Sequence, residues 1–502
     1  MANERRGEGY GLGLSTRTQM TGYQFLARRT AMALTRWQVR MEVEPGRRQS
    51  LAVVASVSSA VVICLGALLW SFLSPSGQMN ENPIIADRDS GALFVRVGDR
   101  LYPALNLASA RLIAGRPINP HKVRAAQIAE QPHGPLVGIP GAPSEILPTS
   151  PGSSSWLICD TVTNVKGVGD ISPVTVTVID GLPDLNNHRK VIEGSDAVVL
   201  RYQDSSWVIR NGRRSRIDAN DRSVLLPLGL SPEAVERAKP MSMALFNALL
   251  PGPALTVPEV PSLGEPAQFP GAPGPVGTVF TTPQLSGPQQ YLVVLADGTQ
   301  TITPVVAKIM LNAGFNPTGK PVEVTPQTLA RMPVSKGIDL SAYPDGPLHL
   351  ISVYEQPSTC WWWERTTGEN QARIRVVSGT TLPIAQNNLD RVVSFVKVDK
   401  SGHEADKVYF GDNYANFISL TGNQVDSHTE ESLWWISGSG VRFGIPGEDE
   451  RKALGLMEKP VQAPSVAVRL LPLGPALSRQ DALLRHDTLP IDENSGELVV
   501  PK

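Results

Sequence analysis

Cysteine is nearly absent from this chain: Cys64, Cys159 and Cys360 are the only three in 502 residues. So few thiols exclude a thiolate-held zinc module and a disulfide-dense mini-scaffold. Histidine is sparse too. The seven, at 121, 133, 188, 349, 403, 428 and 486, form no His-Glu-x-x-His pattern and flank no cysteine pair, so no metal site is expected. There is no Gly-x-Ser-x-Gly elbow, and no catalytic residue is assigned. Forty-six basic residues against 47 acidic ones leave no surplus for nucleic acid.

Long apolar runs are also missing, with one exception. Leu51 to Leu73 holds no charge, no proline and a single glycine. As a helix it reaches ~34 Å, enough for a bilayer core of about 30 Å. One helix pairs every backbone polar group internally, as hydrocarbon requires. Ser56, Ser58, Ser59 and Ser71 can return their hydroxyls to the preceding turn. A cleaved signal fits poorly, because 50 residues precede the run and signal cores are about 7–15 residues long. Residues 1–50 carry nine Arg and four Glu, the span is neutral, and the remainder is −6. Arg47 and Arg48 abut the span, whereas the first charge beyond it is Glu81. Positive flanks stay cytoplasmic, so the N-terminus is expected inside and residues 74–502 outside.

That topology gives the cysteines their reading. Cys64 lies in the span, where a thiol behaves as a small hydrophobe. Cys159 and Cys360 fall in a compartment that permits disulfides, and a bridge between them is favoured because the chain offers no other partner. Two unpaired buried thiols are the alternative.

In the cytoplasmic segment a helical period follows a cap at Ser15 or Thr16. Tyr23, Leu26, Thr30, Ala33, Leu34, Trp37 and Met41 share one face until Pro45-Gly46 breaks the run. Such a basic amphipathic helix either lies on anionic headgroups or docks on a partner through Tyr23, Leu26 and Trp37.

The exterior region repeats itself. Strand-like Ala92–Val97, Gly98-Asp99, Tyr102-Pro103, a helix-like Leu105–Ala114 and Gly115 precede Gln127–Ala129 and Pro132. Tyr291–Leu295, Asp297-Gly298, Thr303-Pro304, Val305–Ala313, Gly314, Thr328–Ala330 and Pro333 follow the same order. Trp207 to Gly212, Arg214, Ile217, Leu228-Gly229-Leu230 and Leu249 to Thr256 return as Trp435 to Gly438, Arg442, Ile445, Leu454-Gly455-Leu456 and Leu470 to Ser478. Each unit is too small to bury its apolar face alone. Between them, Trp156–Val178 and Arg373–Val398 alternate as strands of one sheet, stapled if Cys159 meets Cys360. Trp361, Trp362 and Trp363 either anchor a partner or, as favoured here, pack against the bridge.

The expected fold class is α+β. One transmembrane helix precedes an elongated exterior region of four small strand–helix repeats around a central disulfide-stapled β-rich domain. Its parts are a cytoplasmic segment (1–50), the span (51–73), repeat 1 (74–150) and the first part of the central domain (151–200). Repeat 2 (201–256), a Pro-rich linker or surface arm (257–275) and repeat 3 (276–345) follow. The second part of the central domain (346–420), repeat 4 (421–480) and a polar, loosely held tail (481–502) complete the chain.

One stretch imitates a phosphate-binding loop. Gly314-Phe-Asn-Pro-Thr-Gly319-Lys320 has the spacing, but Pro321 replaces the magnesium-binding Ser or Thr, and Val322–Thr325 has little helical character. Gly314, Gly319 and Lys320 remain the candidate nucleotide-binding positions.

Gln19-Met-Thr-Gly-Tyr-Gln-Phe-Leu-Ala-Arg-Arg29, the span, and Asn82-Pro-Ile-Ile-Ala-Asp-Arg-Asp-Ser-Gly-Ala-Leu93 resemble the EccB family. This is the single-pass core component of the mycobacterial type VII (ESX) secretion system. Gly138–Pro143, the Cys159/Cys360 pair and the Trp361–Trp363 run extend the likeness over nearly the whole chain. The arginine-rich approach to the span is most similar to the paralogue of the fifth ESX system. The resemblance implies an inner-membrane complex with EccC (the motor ATPase), EccD and EccE, capped outside by the mycosin protease. It further implies copies of this chain packed within a hexamer, and a scaffold role. Family members are often described as ATPases, so ATP enters only by resemblance, because no intact nucleotide motif is visible. A nucleotide hydrolase and a cell-wall-binding repeat protein are the rival readings.

Overall fold

The computed structural model describes residues 16–35, 45–73, 81–149, 151–163, 174–284, 289–396, 403–412, 414–427, 429–489 and 495–496. They belong to two compact units, residues 1–78 and 79–502.

The first unit holds two helices, Arg17–Thr35 and Pro45–Leu73. Pro45 opens the second, where its missing N–H is no loss. Within that helix Ser50–Trp70 is long and apolar enough to cross a membrane, ~31 Å at the helical rise. Val53, Ile63, Leu68 and Trp70 are exposed, and no part of the run is covered by protein. A helix apolar on every side and bare on every side suits lipid. Ser56 Oγ donates to Val53 O at 2.9 Å, so this hydroxyl is satisfied within the helix.

The second unit is α+β and is built on a seven-stranded sheet. Its strand order is Val393–Ser394, Lys407–Phe410, Val174–Asp180, Ser153–Val162, Ser358–Thr366, Arg373–Gly379 and Arg189–Val191. Segments some 200 residues apart thus lie side by side. Ser153–Val162 is buried on both faces, which explains why its centre, Trp156-Leu-Ile-Cys159, is apolar at four successive positions.

Four smaller sheets surround this one, and each has the same order of elements. In lobe 1 Ile84–Asp87, Leu93–Val97 and Arg100–Ala104 form an antiparallel meander. The helix Leu107–Ala114 returns the chain so that His121–Val123 runs parallel to the first strand. Lobe 2 repeats this with Asp196–Tyr202, Ser205–Arg210, Arg213–Ile217 and the returning Lys239–Pro240. Lobe 3 does so with Val279–Thr282, Gln290–Val294, Thr299–Ile302 and Val322–Glu323. Lobe 4 uses Phe417–Thr421, Leu433–Ile436, Arg442–Ile445 and Val461–Pro464.

The likeness extends to single hydrogen bonds. After its last short helix each lobe lays a segment parallel to its third strand, opposite Leu101, Arg214, Thr299 and Arg442. Those residues accept from the N–H of Gly134, Gly252, Ser335 and Gly474 at 2.9 Å each. Three of the four donors are glycine for a steric reason. A Cβ there would come within 2.2 Å of the Tyr102 ring, 2.7 Å of Ser215 Oγ and 2.5 Å of the Phe443 ring.

Lobe 1 closes one small cluster of its own, Ile85, Leu101, Val123 and Ile128, but shares its larger one with lobe 4. Ala110 and Leu112 of lobe 1 share one apolar cluster with Phe443, Leu454 and Leu456 of lobe 4. The buried Arg111 guanidinium crosses this seam, donating to Leu454 O at 3.3 Å and Asn119 Oδ1 at 3.0 Å. Lobes 2 and 3 likewise share Leu225 and Leu228 with Val306 and Met310. Pairing is therefore between lobes 1 and 4 and between 2 and 3, whereas the sequence matches run between 1 and 3 and between 2 and 4.

Two segments differ from their expected texture. Residues 257–275 contain no helix or strand, yet Val260 and Phe269 are buried, and Gln268 N–H donates to Ala296 O at 2.8 Å. The segment is pinned to lobes 2 and 3 rather than slack. The start of the 481–502 tail is not loose either, and that expectation is corrected. Ala482 is fully buried against lobe 1, and Arg485–His486 pairs with Leu136–Val137. Polar composition hid this attachment because it rests on backbone pairing and one small side chain.

Candidate functional site

Cys159 and Cys360 stand directly opposite each other on neighbouring strands of the central sheet and form a disulfide across 201 residues of sequence. Both are fully buried. The tryptophans alternate across the sheet as the pleat requires. Trp362 shares the face of Cys360 and packs with both cysteines, Leu157 and Val377. Trp361 and Trp363 point to the other face with Trp156 and are completely buried. The run packs around the bridge and offers no exposed anchor.

Trp362 is fixed at both ends. Its Nε1 donates to Ser155 Oγ at 3.0 Å, and that hydroxyl donates to Gly181 O at 2.8 Å. The Arg375 guanidinium lies 3.4 Å from its ring and pairs with Glu364. A cation on an aromatic face with a carboxylate behind it is well placed in a partly buried site.

On the opposite face are buried carboxylates that patterning did not reveal. Asp160, 2% exposed, accepts from Ser242 N–H at 2.6 Å and Ser242 Oγ at 2.7 Å. Ser242 also caps the helix Met243–Ala248 of lobe 2. Burial, opposed by these hydrogen bonds and helped by the Asp406 charge, raises the Asp160 carboxyl to about 7. Asp180 accepts from Ala415 N–H at 3.2 Å, and burial pushes it well above the usual carboxylate range. The only signal in the sequence was an acidic residue closing each apolar strand, WLICD and VTVID.

Tyr23 and Leu26 lie three residues apart on Arg17–Thr35, 76% and 64% exposed, so that face is open. Trp37 lies outside the described residues. The phosphate-loop lookalike takes a different shape from a nucleotide cradle. Gly314 and Gly319 adopt left-handed φ of 86° and 65° in a turn after the helix Pro304–Asn312. The buried Asn316 organises that turn. Its Oδ1 accepts from Val279 N–H at 2.8 Å, and its Nδ2 donates to Val279 O at 2.7 Å and Lys320 O at 2.8 Å. Gly319 N–H is spent on Asn316 O, and a strand at Val322–Glu323, not a helix, follows. No helix N-terminus faces a phosphate there. Among the described residues no cluster of His, Cys, Asp and Glu could hold a metal ion.

An apolar helix long enough to cross a membrane, followed by a disulfide-stapled, multi-sheet unit, defines the class: one candidate span and a separate α+β body. The chain belongs to the EccB family, its residues 12–491 matching the model described as type VII secretion system ESX-1, transport TM domain B. It is 67% identical over 506 residues, 100% of both chains, to the ESX-5 secretion system ATPase EccB5 of Mycobacterium tuberculosis (strain CDC 1551 / Oshkosh). It is 36% identical over 498 residues, 97% of this chain and 94% of the relative, to the ESX-3 secretion system ATPase EccB3 of Mycolicibacterium smegmatis. Among solved structures, a chain of an intact ESX-5 inner membrane complex matches with a TM-score of 0.80 at 66% identity, covering 98% of this chain and 100% of that one. The EccB3 dimer from the ESX-3 core complex matches with a TM-score of 0.71 at 33% identity, covering 80% and 100%.

Proposed function

We propose that this chain is a structural subunit of an ESX secretion complex, held in the inner membrane by Leu51–Leu73 with its N-terminus in the cytoplasm. Its second unit stands in the periplasm. The observation that carries this reading is the likeness, over 98% of the chain, to a subunit of an intact ESX-5 inner membrane complex. The buried disulfide supports an oxidising compartment for residues 79–502. The arginine-rich N-terminal flank supports the same orientation. The four lobes act as repeats of one strand–helix unit, elongating the body and presenting surfaces to other copies in a hexamer. EccC, EccD, EccE and the mycosin protease are the other partners, with the Tyr23–Leu26 face of the first helix turned to a cytoplasmic partner.

Two single-cysteine variants test the orientation, one at exposed Leu26 and one at exposed Leu473. A membrane-impermeant thiol reagent applied to cells with a permeabilised outer envelope should label position 473 and spare position 26. The reverse pattern would invert the topology and remove the proposal.

The printed names of the relatives include ATPase, which keeps a second reading in view. The turn at 314–320 lends it little support, since the N–H groups of Gly314, Phe315, Gly319 and Lys320 are engaged internally. Loss of ATP turnover by the detergent-extracted protein on Lys320→Ala would favour that reading.

A further inference from the structure

In every lobe the third strand lies beside a later, parallel segment, and the residue after the accepting one faces that segment. In lobes 1, 3 and 4 this residue is large: Tyr102, Gln300 and Phe443. The Tyr102 and Phe443 rings leave no room for a Cβ at Gly134 and Gly474. Gln300 Oε1 accepts from the N–H of Gly337 and of Ile338 at 2.9 Å each. Lobe 2 carries Ser215 at this place, beside Gly252. A hydroxymethyl group does not fill what a ring fills, and a cleft of about 390 Å³ opens between Ser215, Gly252 and residues 341–348.

The apolar walls of the cleft are Val208, Leu255, Pro344 and Leu348. Leu255 is the counterpart of Leu477 in lobe 4: their N–H groups donate to Arg216 O and Gly444 O at 2.8 Å each. Leu477 shares its apolar cluster with Phe443. The cleft is therefore the slot that an aromatic ring occupies in lobe 4. Its size falls within the range of small-ligand sites, about 300–1,000 Å³.

The same cleft is cationic. Arg210 and Arg213 both line it and stand directly opposite each other across the turn Asn211-Gly212. Opposed residues of a strand pair share a face, and like charges so placed repel. Arg210 Nη2 donates to Ala342 O at 3.3 Å and Arg213 Nη1 to Pro251 O at 3.1 Å, which anchors each guanidinium to a different wall. Neither guanidinium belongs to an ion pair among the described residues. Burial disfavours the charge of Arg210, and Asp345 supports it only from beyond ion-pair distance. No acidic residue lines the cleft among the described residues. Each guanidinium carries five N–H donors, so both keep donors to spare, and a carboxylate accepts from two at once.

We propose that this cleft binds the carboxyl terminus of a polypeptide. The terminal carboxylate bridges Arg210 and Arg213, and an aromatic or branched apolar last side chain enters the slot beside Ser215. A chain end carries both groups on one Cα, and Asn211 and Ser341, also on the lining, are polar partners for the preceding peptide group. A bare phosphate would answer the guanidiniums but leave Val208, Leu255 and Leu348 without a partner.

The test is isothermal titration of the full-length protein in detergent with the tripeptide Gly-Gly-Phe. Saturable one-to-one binding is expected. The C-terminal amide of the same peptide should bind roughly tenfold more weakly or worse, because a charged acceptor is lost. Arg213→Gln, at an exposed position, should weaken binding to a similar degree. Ser215→Phe should refill the slot, as Phe443 does in lobe 4, and abolish binding without lowering the melting temperature. Failure to saturate, or equal binding of acid and amide, would overturn the proposal. So would wild-type affinity in Arg213→Gln or in folded Ser215→Phe, or displacement of the tripeptide by an equal concentration of inorganic phosphate or phenylpropionate.

Discussion

Replacing both Cys159 and Cys360 by alanine puts the central sheet to a quantitative trial. The bridge closes a loop of 201 residues. In the chain-entropy account such a loop removes roughly 18 cal/mol/K from the unfolded ensemble, about 5 kcal/mol at 25 °C. Both sulfurs are fully buried, so lost packing adds to that figure, while the retained strand pairing tempers it. A net loss of about 3–5 kcal/mol is expected. Unfolding a body the size of residues 79–502 carries an entropy of roughly 0.9 kcal/mol/K, so the melting temperature should fall by about 3–6 °C. The measurement is thermal unfolding of the detergent-extracted double variant against wild type, with a non-reducing gel confirming the oxidised state of the latter. Because Trp362 covers the bridge, reductant without denaturant should leave it intact. A melting temperature within 1 °C of wild type, or ready reduction of the folded protein, would refute the view that this bond holds the sheet together.

Trp363→Ala, emptying a site with no solvent exposure, should cost about 3–5 kcal/mol in a denaturant titration. Asn316→Ala should destabilise lobe 3 by about 1–3 kcal/mol by orphaning the Val279 amide and carbonyl, whereas Lys320→Ala should leave thermal unfolding unchanged. That contrast separates a structural turn from a nucleotide loop. Gly474→Val should drive its side chain into the Phe443 ring and lower the yield of folded protein, read by size exclusion. Tyr23→Ala with Leu26→Ala should reduce the size of the extracted complex on a native gel without altering membrane insertion, since both side chains are exposed.

The features readable in the sequence were those with a local cause. The apolar helix announced itself by length, and the paired cysteines by compartment and scarcity. A close approach likewise forbids a Cβ at Gly134, Gly252 and Gly474. The pairing of lobe 1 with lobe 4 has no local cause. It rests on complementary apolar surfaces and on Arg111 reaching a carbonyl 343 residues away. Lys320 drew attention by spacing, yet Asn316 decides that turn through backbone bonds that spacing does not encode. Asp160 and Asp180 went unnoticed for a related reason. A lone acid at the end of an apolar strand looks like its solvated boundary until another segment covers it.

The interleaved central sheet sets a timetable for biogenesis. Strands Ser153–Val162 and Val174–Asp180 can pair with each other at once, but their outer neighbours arrive only with residues 358–410. Much of the second unit must therefore wait, with those two outer edges unpaired, while the ribosome finishes the remainder. A stalled or truncated product would expose those edges to proteases and to premature pairing with its neighbours.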